Sequence, residues 1–219
     1  MDDTVRALAV LSAASVSDAM DRLGLHGTAQ GIVPLAVGYH VVGRAFTLKY
    51  RPVGVAKGTV GDYVDDVPVG GIVVLDNAGR LDCTVWGDIL TTVARKRGVA
   101  GTVIHGVCRD VAGSLEAGYP IFSRGRFMRT GKDRVEVDAM EVPVSLGDVQ
   151  VRPGDIVMGT DDGVLVVPRD RESEVLEVAA GISAAEAAII AEVEGGVRLD
   201  EARRRHGYHA LQSRPGGTR

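Results

Sequence analysis

From Gly38 to Arg51 the side chains alternate, with Val42, Arg44, Phe46, Leu48 and Tyr50 on one side and Val41, Gly43, Ala45 and Thr47 on the other. That period of two predicts a strand. Two continuous apolar runs, Gly71-Ile72-Val73-Val74-Leu75 and Gly101-Thr102-Val103-Ile104-His105, read as strands buried on both faces. Between them lie a loop, Asp76 to Asp82, and a segment from about Trp86 to Arg97. In that segment Ile89, Leu90, Val93 and Ala94 recur at helical spacing, and Gly98 supplies a stop. Strand, helix, strand in this order predicts a βαβ unit, parallel and right-handed. In such sheets ligands collect beyond the carboxyl ends of the strands, where a helix N-terminus offers N–H groups to anions.

The flanks are read in the same way. Residues 4–24 read as helical, with Thr4 capping a first segment, Ser15 or Ser17 a second, and Gly24 ending it. Short apolar runs at Val135–Val137, Val142–Ser145, Val149–Val151, Ile156–Met158 and Val164–Val167, separated by Gly, Pro and Asp, predict further strands. A long helix is expected from Arg169 to Glu194, with Val175, Leu176, Val178, Ala179, Ile182, Ala185, Ile189 and Ile190 on its apolar face. A short helix follows from Asp200 to His206. With no repeat and no low-complexity linker, residues 1–212 are expected to form one domain and 213–219 a frayed tail.

Composition narrows the class. The 219 residues carry 25 Lys+Arg against 29 Asp+Glu, a formal charge of −4, which gives no electrostatic reason to bind nucleic acid. Glycine is abundant at 29 residues while aromatics make up only 4%, so the core must be built from Val, Ile, Leu and Ala. Cys83 and Cys108 are too few for a disulfide framework and lack zinc-ligand spacing. The start MDDTVRALAV lacks the basic and long apolar regions of a signal peptide, and no run approaches a membrane span. A cytoplasmic protein without membrane contact is the expectation.

Nucleotide signatures fail: no Gly-x-Gly-x-x-Gly follows a strand, Gly131-Lys132 is followed by Asp133, and the glycine a phosphate loop needs is Arg126. The candidate chemistry lies instead in Trp86-Gly87-Asp88-Ile89-Leu90 and Arg109-Asp110. These place an acid at the start of the central helix and an Arg-Asp pair just past the next strand, so both belong to one rim of the sheet. A carboxylate there can hold a hard divalent cation through oxygen. An adjacent Arg can fork onto a substrate carboxylate or enolate oxygen. The competing reading makes Asp88 a helix cap, Arg109-Asp110 a surface ion pair, and Asp110 the cap of the following helix.

The order of these blocks resembles the RraA-like superfamily, which contains 4-hydroxy-4-methyl-2-oxoglutarate aldolases, also oxaloacetate decarboxylases, and regulators of ribonuclease E activity. The resemblance runs over most of the chain. It begins with Ser15-Val16-Ser17-Asp18-Ala19-Met20 and Gly43-Arg44-Ala45-Phe46-Thr47, then passes through Trp86-Gly87-Asp88 and Gly98-Val99-Ala100-Gly101-Thr102-Val103-Ile104. Gly106-Val107-Cys108-Arg109-Asp110, Pro153-Gly154-Asp155-Ile156-Val157 and Asp161-Asp162-Gly163-Val164-Leu165-Val166-Val167-Pro168 complete it. Twenty residues separate Asp88 from Arg109-Asp110, the spacing that marks the aldolase branch.

The resemblance implies an α/β fold with three layers, β/β/α, like a swivelling domain, around the central βαβ unit and the long C-terminal helix. It implies a homotrimer or hexamer with sites between subunits, and a small 2-oxo acid as the bound partner. By the same resemblance Asp110 would ligate a divalent metal, Mg²⁺ or Mn²⁺, and Asp88 would hold metal-bound water. Arg109 would contact substrate, and Gly87, Asp88, Ile89 and Leu90 would line its pyruvate-like end. The implied activity is a class II aldolase that cleaves a 4-hydroxy-2-oxo diacid to pyruvate, with oxaloacetate decarboxylation as a second reaction. His105 stands where relatives often carry Asp, and Cys108 where a small apolar residue is usual. Glu192, Glu194 and Glu201 are candidates for an acid contributed by a neighbouring subunit. Trp86 is expected to pack helix onto sheet, and Arg203-Arg204-Arg205-His206 to be a solvated face or subunit contact.

Overall fold

Capping chemistry opens the chain in the computed structural model, which describes residues 2–55 and 58–211. Asp2 accepts the Val5 N–H at 2.9 Å and starts helix α1 (Asp3–Leu8), and Ser12 accepts the Ser15 N–H at 3.0 Å and starts α2 (Ala13–Arg22). The caps are therefore Asp2 and Ser12, not Thr4 and Ser15 or Ser17. Ser15 is buried and directs its hydroxyl to Glu186.

Two short strands, β1 (Thr28–Ala29) and β2 (Val33–Pro34), precede the long β3 (Val41–Pro52). The βαβ unit forms as the pattern predicts: β4 (Ile72–Asp76), α3 (Asp88–Arg97) and β5 (Gly101–Cys108), with β4 and β5 parallel and Ile72 opposite Gly101. Then come α4 (Val111–Glu116), β6 (Ile121–Arg126), β7 (Val135–Met140) and the hairpin β8 (Val144–Leu146) and β9 (Val149–Val151). The chain continues through β10 (Ile156–Thr160), β11 (Gly163–Val167), α5 (Glu172–Glu194), α6 (Leu199–Arg205) and α7 (Tyr208–Leu211). The long helix begins three residues later than its pattern suggested, because Arg169–Arg171 wind as a 3-10 turn. The expected tail, 213–219, lies outside the described residues.

The large sheet runs β1-β11-β10-β3-β4-β5-β6-β2, and β7 adds to the far half of β3. Strands β3, β4, β5 and β6 are parallel neighbours, so their carboxyl ends share one rim. Its outer strands, β1 and β2, are the two ends of one short segment, which curls the sheet back on itself. Inside the curl, Ile72, Val74, Val103, Phe122 and Val166 pack against Val144, Leu146, Val149 and Val151 of the hairpin. Outside, α1, α2 and α5 cover β10, β11 and the start of β3, whereas α3 and α4 cover β4 and β5. The expected mixed α/β fold with a large sheet and long C-terminal helix is the one observed. Among the described residues no helix is long and apolar enough to cross a membrane.

Candidate functional site

The stretch between β4 and α3 is not free loop. Thr84 bridges to Val107 and Thr130, and its Oγ1 lies 2.9 Å from the carbonyls of Trp86 and Val107. Arg109 donates its backbone N–H to Trp86 O at 3.0 Å, so the end of β5 is stitched to the turn that launches α3. Trp86 is buried, stacks on Tyr119 with ring centroids 6.0 Å apart, and donates its indole N–H to Thr91 Oγ1 at 2.9 Å. Thr91 in turn lies 3.0 Å from Gly87 O and 3.2 Å from Ser114 Oγ of α4. Trp86 therefore packs helix against sheet as expected, although the helix itself starts two residues later, at Asp88. Thr91 takes the buried position assigned by pattern to Ile89, which is 73% exposed. The polar network of Trp86, Thr91 and Ser114 turns that side of the helix inward.

Asp110 adopts a left-handed backbone, φ 54° and ψ 41°, a region that Asp tolerates better than most residues. It occupies the cap position of α4, yet its carboxylate does not cap that helix. It turns to α3 instead, accepting the Asp88 N–H at 3.3 Å and lying 3.2 Å from Arg109 Nε. Gly87 makes this possible: a Cβ there would sit 2.5 Å from Asp110 Oδ2 and 3.3 Å from Arg109 Nε. Asp88 Oδ1 accepts the N–H of Ile89 at 2.8 Å. The N–H groups of Asp88 and Ile89 are thus already engaged by carboxylates, which limits the expected anion site at this helix end. The ion pair of the competing reading forms, but both partners remain 37% exposed.

A cavity of about 390 Å³ opens at this rim, within the usual size of small-molecule sites. Gly87, Asp88, Ile89, Leu90 and Arg109 all line it, so the structure brings the expected substrate-contact residues together. The opposite wall, which no sequence pattern revealed, is Val60, Gly61, Asp62, Val64 and Asp65. Gly61 packs on Leu90 so closely that a Cβ would lie 3.0 Å from Leu90 Cδ2. The only sequence signal for this wall is a density of acids and small residues between Gly58 and Asp66.

Two carboxylates meet here, Asp88 in the lining of the cavity and Asp110 beside it, and oxygen donors of this kind suit Mg²⁺ or Mn²⁺; among the described residues no group of three or more His, Cys, Asp or Glu is placed to hold a metal ion. Such ions bind through one or two carboxylates and keep several waters.

His105 and Asp76 pair at 3.3 Å on the hairpin side of the sheet, away from this cavity. Burial raises the Asp76 carboxyl, but the hydrogen bond from His105 and the N–H groups of Ala78 and Ser145 outweigh it and hold the group below its usual value. Cys108 is buried, which pushes its thiol up. Glu192 pairs with Arg205 and His206, and Glu201 with Arg205. The basic run is thus largely spent on neighbouring acids and on Tyr208, over which Arg203 lies.

The sequence profile of the RraA-like family, described as Aldolase/RraA, matches residues 13–166. Protein DlpA of Legionella pneumophila is 38% identical over 211 residues, 95% of this chain; the chain spans only 34% of that relative's length. A Halalkalibacterium halodurans protein named "Putative 4-hydroxy-4-methyl-2-oxoglutarate aldolase" is 37% identical over 75% of this chain and 76% of its own. Among solved structures, a protein from Pseudomonas syringae superposes with a TM-score of 0.86 at 40% identity, covering 91% of this chain and 96% of that one. Streptomyces coelicolor RraAS2, described as an unusual member of the RNase ES inhibitor RraA family, gives 0.74 at 29% identity over 82% of this chain and 92% of its own.

Proposed function

Since the chain belongs to the RraA-like family, which holds both aldolases and ribonuclease regulators, we propose that it is an enzyme of the aldolase kind. In this reading it cleaves a 4-hydroxy-2-oxo diacid such as 4-hydroxy-4-methyl-2-oxoglutarate to pyruvate, and decarboxylates oxaloacetate as a second reaction. The observation that carries it is that Asp88 and Arg109 line one cavity and Asp110, just outside its lining, contacts both. A protein whose task is only to bind another protein has no chemical need for that arrangement. Asp110, with water held by Asp88, would hold a divalent cation, which when bound supplies Lewis-acid stabilisation of the 2-oxo group.

The residues of the chain do the rest. Arg109 lines the cavity while its Nε rests on Asp110, and its planar fork would hold the enolate oxygen and a carboxylate together. Both reactions break a bond beta to the ketone and leave the same enolate of pyruvate. In aldol cleavage the C4 hydroxyl proton would pass by way of a water to the Asp88 carboxylate, the C3–C4 bond would break, and its electrons would move into the enolate. Protonation at C3 then gives pyruvate, and C4 leaves as an aldehyde or ketone. Among the described residues no lysine lines the cavity, and the Asp88 and Arg109-Asp110 motif contains none for a Schiff base. By the same family relation the active form would be a trimer or hexamer.

The test is release of pyruvate from a panel of 4-hydroxy-2-oxo acids and oxaloacetate, with and without Mg²⁺ or Mn²⁺. Metal-dependent release supports the reading. Absence of turnover, together with inhibition of a ribonuclease of the E type, assigns the chain to the regulator branch instead.

A further inference from the structure

Asp88 opens α3 and Asp110 precedes α4, and one contact of 3.3 Å, from the Asp88 N–H to Asp110 Oδ2, joins them directly. One turn further along both helices lies a second contact. Thr91, three residues after Asp88, has its Oγ1 3.2 Å from Ser114 Oγ, four residues after Asp110. Each also closes the first turn of its own helix: the Thr91 N–H donates to Gly87 O at 3.0 Å, and the Ser114 N–H to Asp110 O at 3.1 Å. Three partners converge on the Thr91 hydroxyl. It accepts the Trp86 indole N–H at 2.9 Å. Its own proton goes to Gly87 O at 3.0 Å, which leaves Ser114 as the donor between the helices. Thr91, Ser114 and Trp86 are each at most 1% exposed, so bulk water replaces none of these partners.

We infer that Thr91 is a positioning residue that sets the separation of Asp88 and Asp110, and through it the affinity for a divalent cation. The inference rests on the reading of those two carboxylates as the cation's holders. Both acids are exposed, so side-chain packing does not fix them and their placement must come from the backbone behind. The direct contact between them is long for an N–H···O bond, and Asp110 is also drawn to Arg109 Nε at 3.2 Å. That contact alone does not fix one helix against the other. The buried one beneath it does, because a hydroxyl with its proton and both lone pairs committed keeps a single orientation. A hard cation tolerates little error in the spacing of its oxygens, and groups behind the ligands therefore govern how tightly it is held. The hydrogen bonds of the Thr91 and Ser114 hydroxyls go to the indole, a backbone carbonyl and each other rather than to either carboxylate.

Trp86 is the only tryptophan in the sequence, so its fluorescence reports on this network while Mn²⁺ binding reports on the carboxylates. Titration calorimetry with Mn²⁺ on the full chain would compare wild type with Thr91→Val, Thr91→Ser and Ser114→Ala. Thr91→Val keeps the shape but strands the indole N–H and the Ser114 hydroxyl. Its Kd for Mn²⁺ should rise by about 10- to 100-fold, and the Trp86 emission should shift. Thr91→Ser restores the hydroxyl and should return both most of the way to wild type. Ser114→Ala removes only the bond between the helices and should weaken Mn²⁺ binding by less, with the Trp86 emission unchanged; it decides the matter if Thr91→Val does not fold. A Kd unmoved in the folded variant, or one that Thr91→Ser does not recover, would overturn the inference and leave Thr91 a structural residue that lowers only the denaturation midpoint. Absence of Mn²⁺ binding by wild type would remove the cation reading and the inference with it. The two failures are thus told apart by the wild-type titration, with no measurement of turnover.

Discussion

Arg44 and Arg109 both stand among carboxylates, and they differ in what each has left to give. Arg44 is saturated. Its Nε meets Asp2 at 2.8 Å, both outer nitrogens reach the Glu172 carboxylate, and Nη1 also meets Gly154 O at 3.0 Å. That clamp joins β3 to the cap of α1, the turn before β10 and the start of α5. Its charge is held more firmly than usual, chiefly by the hydrogen bonds it donates to Glu172. Among the described residues Arg109 has one ion pair, through Nε to Asp110, and it lines a cavity. The same residue types serve stability where every donor is used, and are available for chemistry where donors are spare.

Removing the metal should have the largest effect on the open group and none on the clamp. Chelation with EDTA is expected to abolish pyruvate release, and Mg²⁺ or Mn²⁺ to restore it, with the denaturation midpoint little changed. Turnover that persists in EDTA would end the metal assignment.

Arg109→Lys keeps the charge but loses the planar fork. Loss of one oxyanion donor typically costs about 10²–10³-fold in turnover, and aldol cleavage and decarboxylation should fall together, in kcat more than in KM. If Arg109 were only a surface partner of Asp110, the pair would be worth at most about 1 kcal/mol and kcat would stay near wild type. Asp110→Asn should approach the same loss at limiting Mg²⁺ with its fold intact, because Asn also tolerates the left-handed backbone and keeps an oxygen for the Asp88 N–H. Unfolding with unchanged activity per folded molecule would make Asp110 purely structural.

The clamp should respond the other way. Arg44→Met strands Glu172 and Asp2, both partly screened, and is expected to cost about 1–3 kcal/mol of stability by urea denaturation, with kcat per folded molecule unchanged. A stable variant with impaired kcat would erase the contrast between the two arginines.

The smallest expected effect is on acid stability. Burial raises the Asp2 carboxyl, but the Val5 N–H and Arg44 outweigh it, so the group sits below its ordinary 3.8. A carboxyl lowered in the folded state binds fewer protons there than when unfolded. Its contribution is therefore complete above about 3.8 and lost as pH falls through the lower, folded value. Asp2→Asn should flatten the acid limb of the stability profile, and an unchanged limb would show that Asp2 adds nothing to the clamp.

Local pattern in the sequence determined a good deal. The period of two placed β3, the continuous apolar runs placed β4 and β5, and a 3.6-residue period with Gly98 placed α3. The spacing of Asp88 and Arg109-Asp110 put the candidate site at the carboxyl rim. These were legible because each depends on neighbours a few residues away. What tertiary structure decided depends on residues far apart in the chain. Burial of Thr91 in place of Ile89 follows from Trp86 and Ser114, and β6 goes unseen without β5 beside it. Asp110 turns toward α3 because Gly87 leaves room for its carboxylate. The opposite wall of the cavity exists because Gly61 can approach Leu90, and the saturation of Arg44 needs residues 2, 154 and 172 together. Sequence specifies which groups are present and the local turn each begins. How many of their hydrogen bonds remain free is settled only when distant segments close around them.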